Sequence, residues 1–226
     1  RVYYAMTTNL DWNFGRLISS IKDAGIIDNT IIIFTSDHGE MFGSHGRMKK
    51  NIFYEESIRV PFLIHWRDKL SSGLKLDTLL STVDIMPTIL GLVDVEIPKE
   101  VEGTDLSLKL RGKTIDEPLF AFLMNTGACA IWEDGHEWRA IRDKKYTYAV
   151  YRGSKDLPRK ELFFNNINDP FQLNNLIDNS KYLTRINRFR SYLCDKMNQL
   201  NDEFPASSWY LKNWIQDRNI KRTATM

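Results

Sequence analysis

The chain opens with an amphipathic pattern. Apolar side chains recur at intervals of three and four between residues 3 and 24, which places them on one helix face, and Gly25 follows as a C-cap. The positions on this face are Tyr3, Met6, Leu10, Phe14, Leu17 and Ile21. The continuous β-branched run at residues 30–34 predicts a strand covered on both faces, as in a parallel sheet. A helix followed by a buried strand predicts an α/β domain.

The following residues extend this first domain, which we predict to span residues 1–134. Its further elements are a Gly-rich polar loop at 37–50, an apolar strand at 60–66, a short helix at 84–92 and a third core strand at 119–123. Pro87 lies within the short helix, where we expect it to be tolerated only in the first turn.

The pattern changes after about Gly135. The predicted elements are then a hairpin formed by 138–142 and 146–151, a strand at 161–164 and a long amphipathic helix at about 181–203. Residues 143–145 supply the turn of the hairpin. An antiparallel sheet with one covering helix is expected to form a small C-terminal subdomain, residues 135–226.

Composition and charge exclude some classes of protein. The chain has 226 residues, of which 42% are hydrophobic, and its net charge is only +2. No long basic run interleaves with aromatic residues, so nucleic-acid binding is not expected. No stretch approaches the roughly 18 apolar residues of a membrane span. Cys129 and Cys194 have no metal-ligand spacing and could be two buried thiols or one disulfide.

The first candidate for chemistry is the tripeptide Asp37-His38-Gly39. It lies just beyond the carboxyl end of the first predicted strand, where open α/β sheets bind ligands. A carboxylate beside an imidazole can hold a divalent cation, and Gly39 would let the backbone turn sharply. The alternative is a solvated turn with an Asx-type hydrogen bond.

Three further side chains in the loop could bind an anion. His45 lies between small residues that would let an anion approach, and Lys49 and Lys50 follow it. A cationic side chain beside a metal suits a tetrahedral oxyanion such as sulfate or phosphate, because it neutralises charge that builds up as the ester breaks. A surface imidazole and a solvated lysine pair are the alternatives.

Several motifs occur together over about residues 3–205. They are Thr35-Ser36-Asp37-His38-Gly39-Glu40, Gly43-Ser44-His45-Gly46, the run from Lys50 to Pro61, Val83-Asp84-Ile85-Met86-Pro87-Thr88-Ile89-Leu90, Glu102-Gly103-Thr104-Asp105-Leu106 and Asp169-Pro170-Phe171-Gln172-Leu173-Asn174-Asn175-Leu176. This combination resembles the sulfatase family of the alkaline-phosphatase-like superfamily. In that family a lysine precedes an aromatic-acidic pair by four residues and the proline of the next strand by eleven, a register that selects Lys50 over Lys49.

The resemblance implies an alkaline-phosphatase-like α/β fold with a mostly parallel sheet flanked by helices. Asp37 and His38 would then be metal ligands, Lys50 would contact the sulfate ester, and His45 would bind the sulfate or help the leaving group depart. His136 opens the C-terminal subdomain, which in this family leans over the mouth of the pocket. His136 could therefore touch the substrate, or it could pack at the interface between the domains.

The resemblance also implies partners and cofactors. The expected metal is Ca²⁺, although an imidazole ligand leaves Mn²⁺, Mg²⁺ and Zn²⁺ open. The expected substrate is a sulfated small molecule or glycan, and the family favours an exported or periplasmic protein. Neither the Asp-Asp pair nor the Cys/Ser-x-Pro-x-Arg motif that supplies the family's formylglycine nucleophile occurs in the chain. We expect both in an N-terminal segment that is missing here.

Three functions are compatible with these residues. The first is metal-dependent hydrolysis of a sulfate ester by the full-length protein. The second is phosphodiester or phosphonate hydrolysis within the same superfamily, which shares the Asp-His-Gly metal pair. The third is a non-catalytic fragment, because a chain without the nucleophile is not expected to turn over substrate.

Overall fold

The computed structural model describes residues 1–126, 133–216 and 219–220. Its helices are α1 (Val2–Asp23), α2 (Glu55–Ile58), α3 (Thr82–Leu92), α4 (Ser107–Leu110), α5 (Leu183–Gln199) and α6 (Ser207–Trp214). Its strands are β1 (Ile32–Thr35), β2 (Phe62–His65), β3 (Ala121–Asn125), β4 (Trp138–Arg142), β5 (Tyr146–Tyr151), β6 (Lys160–Asn165), β7 (Ile215–Gln216) and β8 (Asn219–Ile220). Short 3₁₀ turns lie at Ile27–Asn29, Ser44–Gly46 and Ser180–Tyr182.

Helix α1 confirms the amphipathic helix predicted from the apolar period. None of its residues is buried, although its apolar stripe contacts β1, where the Phe14 and Phe34 rings meet edge to face at 5.2 Å. Leu10 and Leu17 on the same stripe remain exposed. The helix thus presents an apolar face that the described part of the chain covers only in part.

Strands β1 and β2 pair antiparallel, with Ile32 opposite His65 and Thr35 opposite Phe62. Every strand pairing among the described residues is antiparallel, so the expected parallel sheet is not met within this part of the chain. An apolar β-branched run reports that a strand packs against other groups, but it does not encode the direction of its neighbour. The direction therefore could not follow from residues 30–34.

Helix α3 begins two residues earlier than predicted, behind a capping box formed by Ser81 and Asp84. Pro87 consequently lies beyond the first turn, where it cannot donate a hydrogen bond to the carbonyl of Val83. Gly103 packs directly against that carbonyl, because a Cβ on Gly103 would lie 1.9 Å from the Val83 oxygen. The glycine of the Glu102-Gly103-Thr104 motif is therefore required by this close approach.

The second half of the described chain contains a four-stranded antiparallel sheet in the order β3-β4-β5-β6. The predicted hairpin is confirmed, with Arg142 opposite Thr147. The strand expected near residues 119–123 is present as β3, but it pairs with β4 in this sheet. The sheet therefore begins before the predicted boundary at residues 134 and 135, and that boundary stays a prediction.

The two faces of this sheet carry two hydrophobic clusters. On one face, α5 packs through Ile186, Phe189 and Leu193 against Tyr148 and Phe163. The members of the other cluster are Met41, Ile52, Phe53, Trp138, Ala140, Ala149, Leu162 and Phe164. This second cluster joins the loop between β1 and β2 to the C-terminal sheet, and it thereby positions the candidate site.

A buried charge network fixes the segment before α6. The Arg139 side chain is fully buried, pairs with Asp202 and donates a hydrogen bond of 3.1 Å to the Tyr210 hydroxyl. Its guanidinium also lies 4.5 Å from the centre of the Phe204 ring. A buried charge of this kind is tolerated because it is paired and hydrogen-bonded.

Two further observations concern membrane-spanning helices and the cysteines. Across the described ranges, no helix is long and apolar enough to cross a membrane. Cys194 has a free, exposed thiol on α5, contrary to the expectation of a buried one. Its sequence partner Cys129 lies outside the described residues.

Candidate active site

The structure brings Asp37 and His38 together just beyond the end of β1. The His38 Nε2 lies 3.1 Å from the Asp37 Oδ2, and the His38 backbone N–H donates to the Asp37 Oδ1 at 2.9 Å. The His38 Nδ1 lies 2.8 Å from the carbonyl oxygen of Gly39. Both ring nitrogens of His38 therefore face an oxygen acceptor, Nδ1 the Gly39 carbonyl and Nε2 the Asp37 carboxylate.

The carboxylate of Asp37 is held in its charged form. Desolvation acts to raise its pKa, but the His38 backbone N–H, the His38 ring and the Ser36 hydroxyl together lower the pKa below its ordinary value. The side chain is 80% exposed, so a cation can reach it from solvent. A metal ligand must be deprotonated, and Asp37 meets that condition at neutral pH.

Gly39 is required for a different reason from the sharp turn expected from sequence. Its φ is not positive, but its backbone lies against α2, and its N–H donates to the Ser57 carbonyl at 2.8 Å. A Cβ on Gly39 would lie 1.9 Å from the Glu56 carbonyl oxygen. The third residue of the Asp-His-Gly motif therefore sets how closely the ligand pair approaches α2.

His45 lies in the 3₁₀ turn in a strained backbone conformation, with φ of 55°. Its ring stacks on the ring of Tyr54 with centroids 3.7 Å apart and an angle of 8° between planes. Its Nε2 is buried and has no hydrogen-bond partner in the described part of the chain. A strained residue with an unsatisfied buried nitrogen is typical of a ligand-binding position.

Lys50 lies exposed between two residues with left-handed backbone, Lys49 with φ of 68° and Asn51 with φ of 72°. The Lys49 N–H donates to the Glu40 carboxylate, and the Lys49 carbonyl accepts from the Met41 N–H at 2.8 Å. The backbone before Lys50 is therefore held by Glu40 and Met41 of the same loop between β1 and β2.

His136 lies two residues before β4, and its Nε2 is 3.7 Å from a carboxylate oxygen of Glu133. The side chain is 54% exposed. Within residues 1–126 and 133–216, no hydrogen bond or ion pair joins His136 to Asp37, His38 or Lys50. Its expected contact with the substrate stays a prediction.

The donor set fits part of a divalent-cation site. Asp37 supplies a carboxylate oxygen and His38 an imidazole nitrogen, and the two atoms lie 3.1 Å apart. Among the described residues, no third histidine, cysteine or carboxylate joins them as a metal-binding group. The pair therefore accounts for two positions of a coordination shell that holds at least four.

Sequence reasoning missed a second set of polar residues beside this loop. The Glu55 carboxylate accepts two hydrogen bonds from Arg142, of 2.6 and 2.9 Å. The Glu55 backbone N–H donates to the Gln172 side chain at 2.8 Å. Glu55 was noticeable in the sequence only as part of the Tyr54-Glu55 pair, and its partners lie too far along the chain for any local pattern to reveal them.

Comparison with known proteins shows which family the chain resembles. Residues 1–95 match the family model described as Sulfatase. The chain is 37% identical over 223 residues to the ulvan-active sulfatase of Formosa agariphila, which covers 96% of this chain and 42% of that protein. The chain thus spans less than half the length of the curated relatives it matches.

Solved structures give the same result. A protein in complex with its substrate D-glucosamine-2-N,6-O-disulfate superposes with a TM-score of 0.79 at 26% identity, covering 87% of this chain and 40% of that one. The phosphonate monoester hydrolase of Agrobacterium radiobacter superposes with a TM-score of 0.74 at 25% identity, with the same coverage.

These likenesses define first a class of fold. The chain forms part of an alkaline-phosphatase-like α/β fold. Within that class, it belongs to the sulfatase family.

Proposed function

We propose that the full-length protein hydrolyses sulfate esters in a metal-assisted reaction. The observation that carries this proposal is the Asp37–His38 pair at the end of β1, in which an exposed, charged carboxylate and the imidazole Nε2 lie 3.1 Å apart. The pair occurs in a chain of the sulfatase family whose curated relatives include an ulvan-active sulfatase and an arylsulfatase.

Asp37 and His38 would hold the cation. A bound divalent cation withdraws electron density from the ester oxygens and stabilises the negative charge that develops there. Lys50 contributes a second positive charge to the same sulfate group, and its ammonium stabilises the charge more strongly as the ester bond breaks. His45 binds the sulfate or gives a proton to the leaving oxygen.

The identity of the metal is a finer proposal. Ca²⁺ is our first choice, since it is the usual cation of the family. A carboxylate-plus-imidazole pair is also suited to Mn²⁺, Mg²⁺ or Zn²⁺. We place the remaining ligands and the formylglycine nucleophile outside the 226 residues of this chain.

A sulfated glycan is the substrate class that we favour. One support is the sulfated glucosamine bound as substrate in a structural neighbour, and another is the name of the ulvan-active relative. We further propose that residues 135–226 act as a subdomain at the mouth of the pocket, where His136 contacts the sugar. We also propose that the full-length protein is exported, because an extracellular glycan would be met outside the cell.

A matched pair of lysine variants tests the role of Lys50. In the full-length protein, Lys50→Gln should lower kcat/KM for sulfate release by roughly 100-fold to 1000-fold, as loss of one charge-stabilising donor does. Lys49→Gln changes the neighbouring exposed lysine in the same way and should stay close to wild type. Equal effects of both variants on ion-chromatographic sulfate release would contradict the assignment.

A second test addresses the metal. Asp37→Asn removes one negative charge from the ligand pair and should lower both the metal content of the purified protein and its rate of sulfate release. Excess cation should restore part of the rate. Asp28→Asn is a matched surface control, because Asp28 is exposed and pairs with the exposed Arg67 at 3.2 Å. An unchanged metal content in Asp37→Asn would refute the proposed ligand role.

Phosphonate ester hydrolysis is the second candidate, favoured by the phosphonate monoester hydrolase among the structural neighbours. The same metal pair would serve either ester, so a direct comparison of rates on sulfate and phosphonate esters separates the two. A third possibility concerns the chain by itself. Without a nucleophile, the purified 226-residue chain should release no sulfate, and measurable release would overturn that expectation.

A further inference from the structure

The loop between β1 and β2 that carries Lys50 packs into the hydrophobic core of the C-terminal half. Two and three residues after Lys50, the side chains of Ile52 and Phe53 lie in the core beneath the C-terminal sheet, where both are buried. The Phe53 ring meets the Trp138 ring edge to face at 5.4 Å. The candidate site therefore shares a hydrophobic core with strands that lie far from it in sequence.

Three polar side chains of the C-terminal half hold the same segment, and we name them the clasp: Trp138, Arg142 and Gln172. Trp138 donates from Nε1 to the Asn51 carbonyl at 3.2 Å. Arg142 donates from Nε and Nη2 to the two carboxylate oxygens of Glu55. Gln172 accepts from the Glu55 backbone N–H. The clasp thus fixes the backbone one residue and five residues after Lys50.

The Arg142–Glu55 pair is built to hold a geometry. The two side chains are 18% and 10% exposed, and their two parallel hydrogen bonds fix both distance and orientation. Arg59 also approaches Glu55, at 3.8 Å, but it is 75% exposed and its contact is a single long one. An exposed pair of that kind contributes little, so Arg142 is the partner that positions Glu55.

The backbone around Lys50 needs such support. Lys49 and Asn51 both adopt left-handed conformations, which are unfavourable for residues other than glycine and persist where the surroundings enforce them. Glu40 and Met41 fix the upstream side through Lys49. The clasp fixes the downstream side.

We propose that Arg142 is a positioning residue for sulfate ester hydrolysis, acting through Glu55 to hold the loop that presents Lys50. This inference rests on the proposed function. It assigns to the C-terminal sheet a role in the reaction itself, in addition to any contact that it makes with substrate.

The test compares Arg142 of β4 with a control arginine, Arg190 of α5, which pairs with Glu161 of β6. Arg142→Gln and Arg142→Lys are made in the full-length enzyme, with Arg190→Gln as the control. Arg190 also pairs with a glutamate away from the loop: its Nη2 and Nε lie 2.7 and 2.8 Å from one carboxylate oxygen of Glu161, and it is more exposed than Arg142. Initial rates of sulfate release from 4-nitrophenyl sulfate give kcat and KM well below the melting temperature of each variant.

We expect Arg142→Gln to lower kcat/KM by roughly 10-fold to 100-fold, because a displacement of about 1 Å at a site can have that effect. Arg142→Lys should recover part of the loss, since it keeps the charge but not the two-pronged geometry. Arg190→Gln should resemble wild type. A lowered melting temperature with unchanged kcat/KM in Arg142→Gln would mean a merely structural role and would overturn the proposal.

Two further measurements separate positioning from other effects. In a Lys50→Gln background, Arg142→Gln should cause almost no additional loss, because the lysine through which it acts is already absent. A full additional loss would overturn the proposal. Amide hydrogen exchange at residues 51–55 should be faster in Arg142→Gln and unchanged in Arg190→Gln.

The exchange measurement also keeps this inference separate from the proposed function. If the wild-type enzyme releases no sulfate, the proposed function is refuted by that result alone. Exchange at residues 51–55 then decides the clasp: faster exchange in Arg142→Gln supports it, and unchanged exchange overturns it.

Discussion

Replacing Gly39 with alanine adds one methyl group at the point where the segment after β1 contacts α2. The new Cβ would lie 1.9 Å from the Glu56 carbonyl oxygen and 2.9 Å from its carbon. Both are backbone atoms, so no side-chain rotation can relieve the overlap, and the two segments must separate by roughly 1 Å. The hydrogen bond from the Gly39 N–H to the Ser57 carbonyl would then be lost.

The magnitude follows from these two effects. Overpacking of this kind costs about 1–3 kcal/mol, and a lost backbone hydrogen bond adds about 1 kcal/mol. We therefore expect Gly39→Ala to lower the free energy of unfolding by roughly 2–4 kcal/mol. Because Gly39 directly follows His38, the same movement displaces the proposed ligands Asp37 and His38 and should lower kcat for sulfate release as well.

Gly15 supplies the matched control. It lies inside α1 with no atom within 4 Å of an added Cβ, so Gly15→Ala should leave stability unchanged or raise it by up to about 1 kcal/mol. Thermal and urea denaturation of the full-length protein, with wild-type, Gly39→Ala and Gly15→Ala compared side by side, provide the assay. Equal stabilities for the two variants, with normal activity in Gly39→Ala, would refute the reasoning.

Three other predictions concern stability and assembly. Asp202→Asn leaves the buried Arg139 guanidinium without its charged partner and should lower the free energy of unfolding by roughly 3–5 kcal/mol in urea, whereas Asp202→Leu combined with Arg139→Met should recover much of it. Hydrogen bonds from Lys109 and Lys144 lower the pKa of Glu117 from its ordinary value of 4.5 to about 2. The ionised carboxylate therefore stabilises the fold at any pH above 4.5. That contribution is lost as the pH falls toward 2, and the melting temperature of Glu117→Gln should therefore fall less steeply over this range; parallel curves would contradict the assignment. The 226-residue chain by itself should aggregate during size-exclusion chromatography, because the apolar face of α1 is exposed, and a monodisperse, cooperatively melting sample would count against that reasoning.

The sequence predicted elements whose signals are local. The apolar period at residues 3–24 placed α1 to within one residue at each end, and alternation at 138–151 located the hairpin. Asp37 and His38 could be placed together because they are adjacent at a strand end. The contact of the His38 Nδ1 could not be predicted, since it depends on the orientation of the Gly39 carbonyl.

Long-range pairing was beyond the sequence. Strand β3 was predicted, but its partner β4 is encoded in side-chain packing across the sheet and not in either strand's own pattern. The Arg142–Glu55 pair is separated by 87 residues, so neither residue signals the other. The same limit applied to β1 and β2, whose apolar runs indicated strands without fixing their antiparallel direction.

The central claim is that Asp37, His38 and Lys50 belong to a site for sulfate esters. The most direct test measures initial rates of the purified full-length protein on 4-nitrophenyl sulfate and on a 4-nitrophenyl phosphonate ester, with and without a chelator. We predict faster hydrolysis of the sulfate ester, which the chelator abolishes and added divalent cation restores. Hydrolysis of the phosphonate ester alone, or sulfate release that neither chelator nor cation affects, would contradict the account.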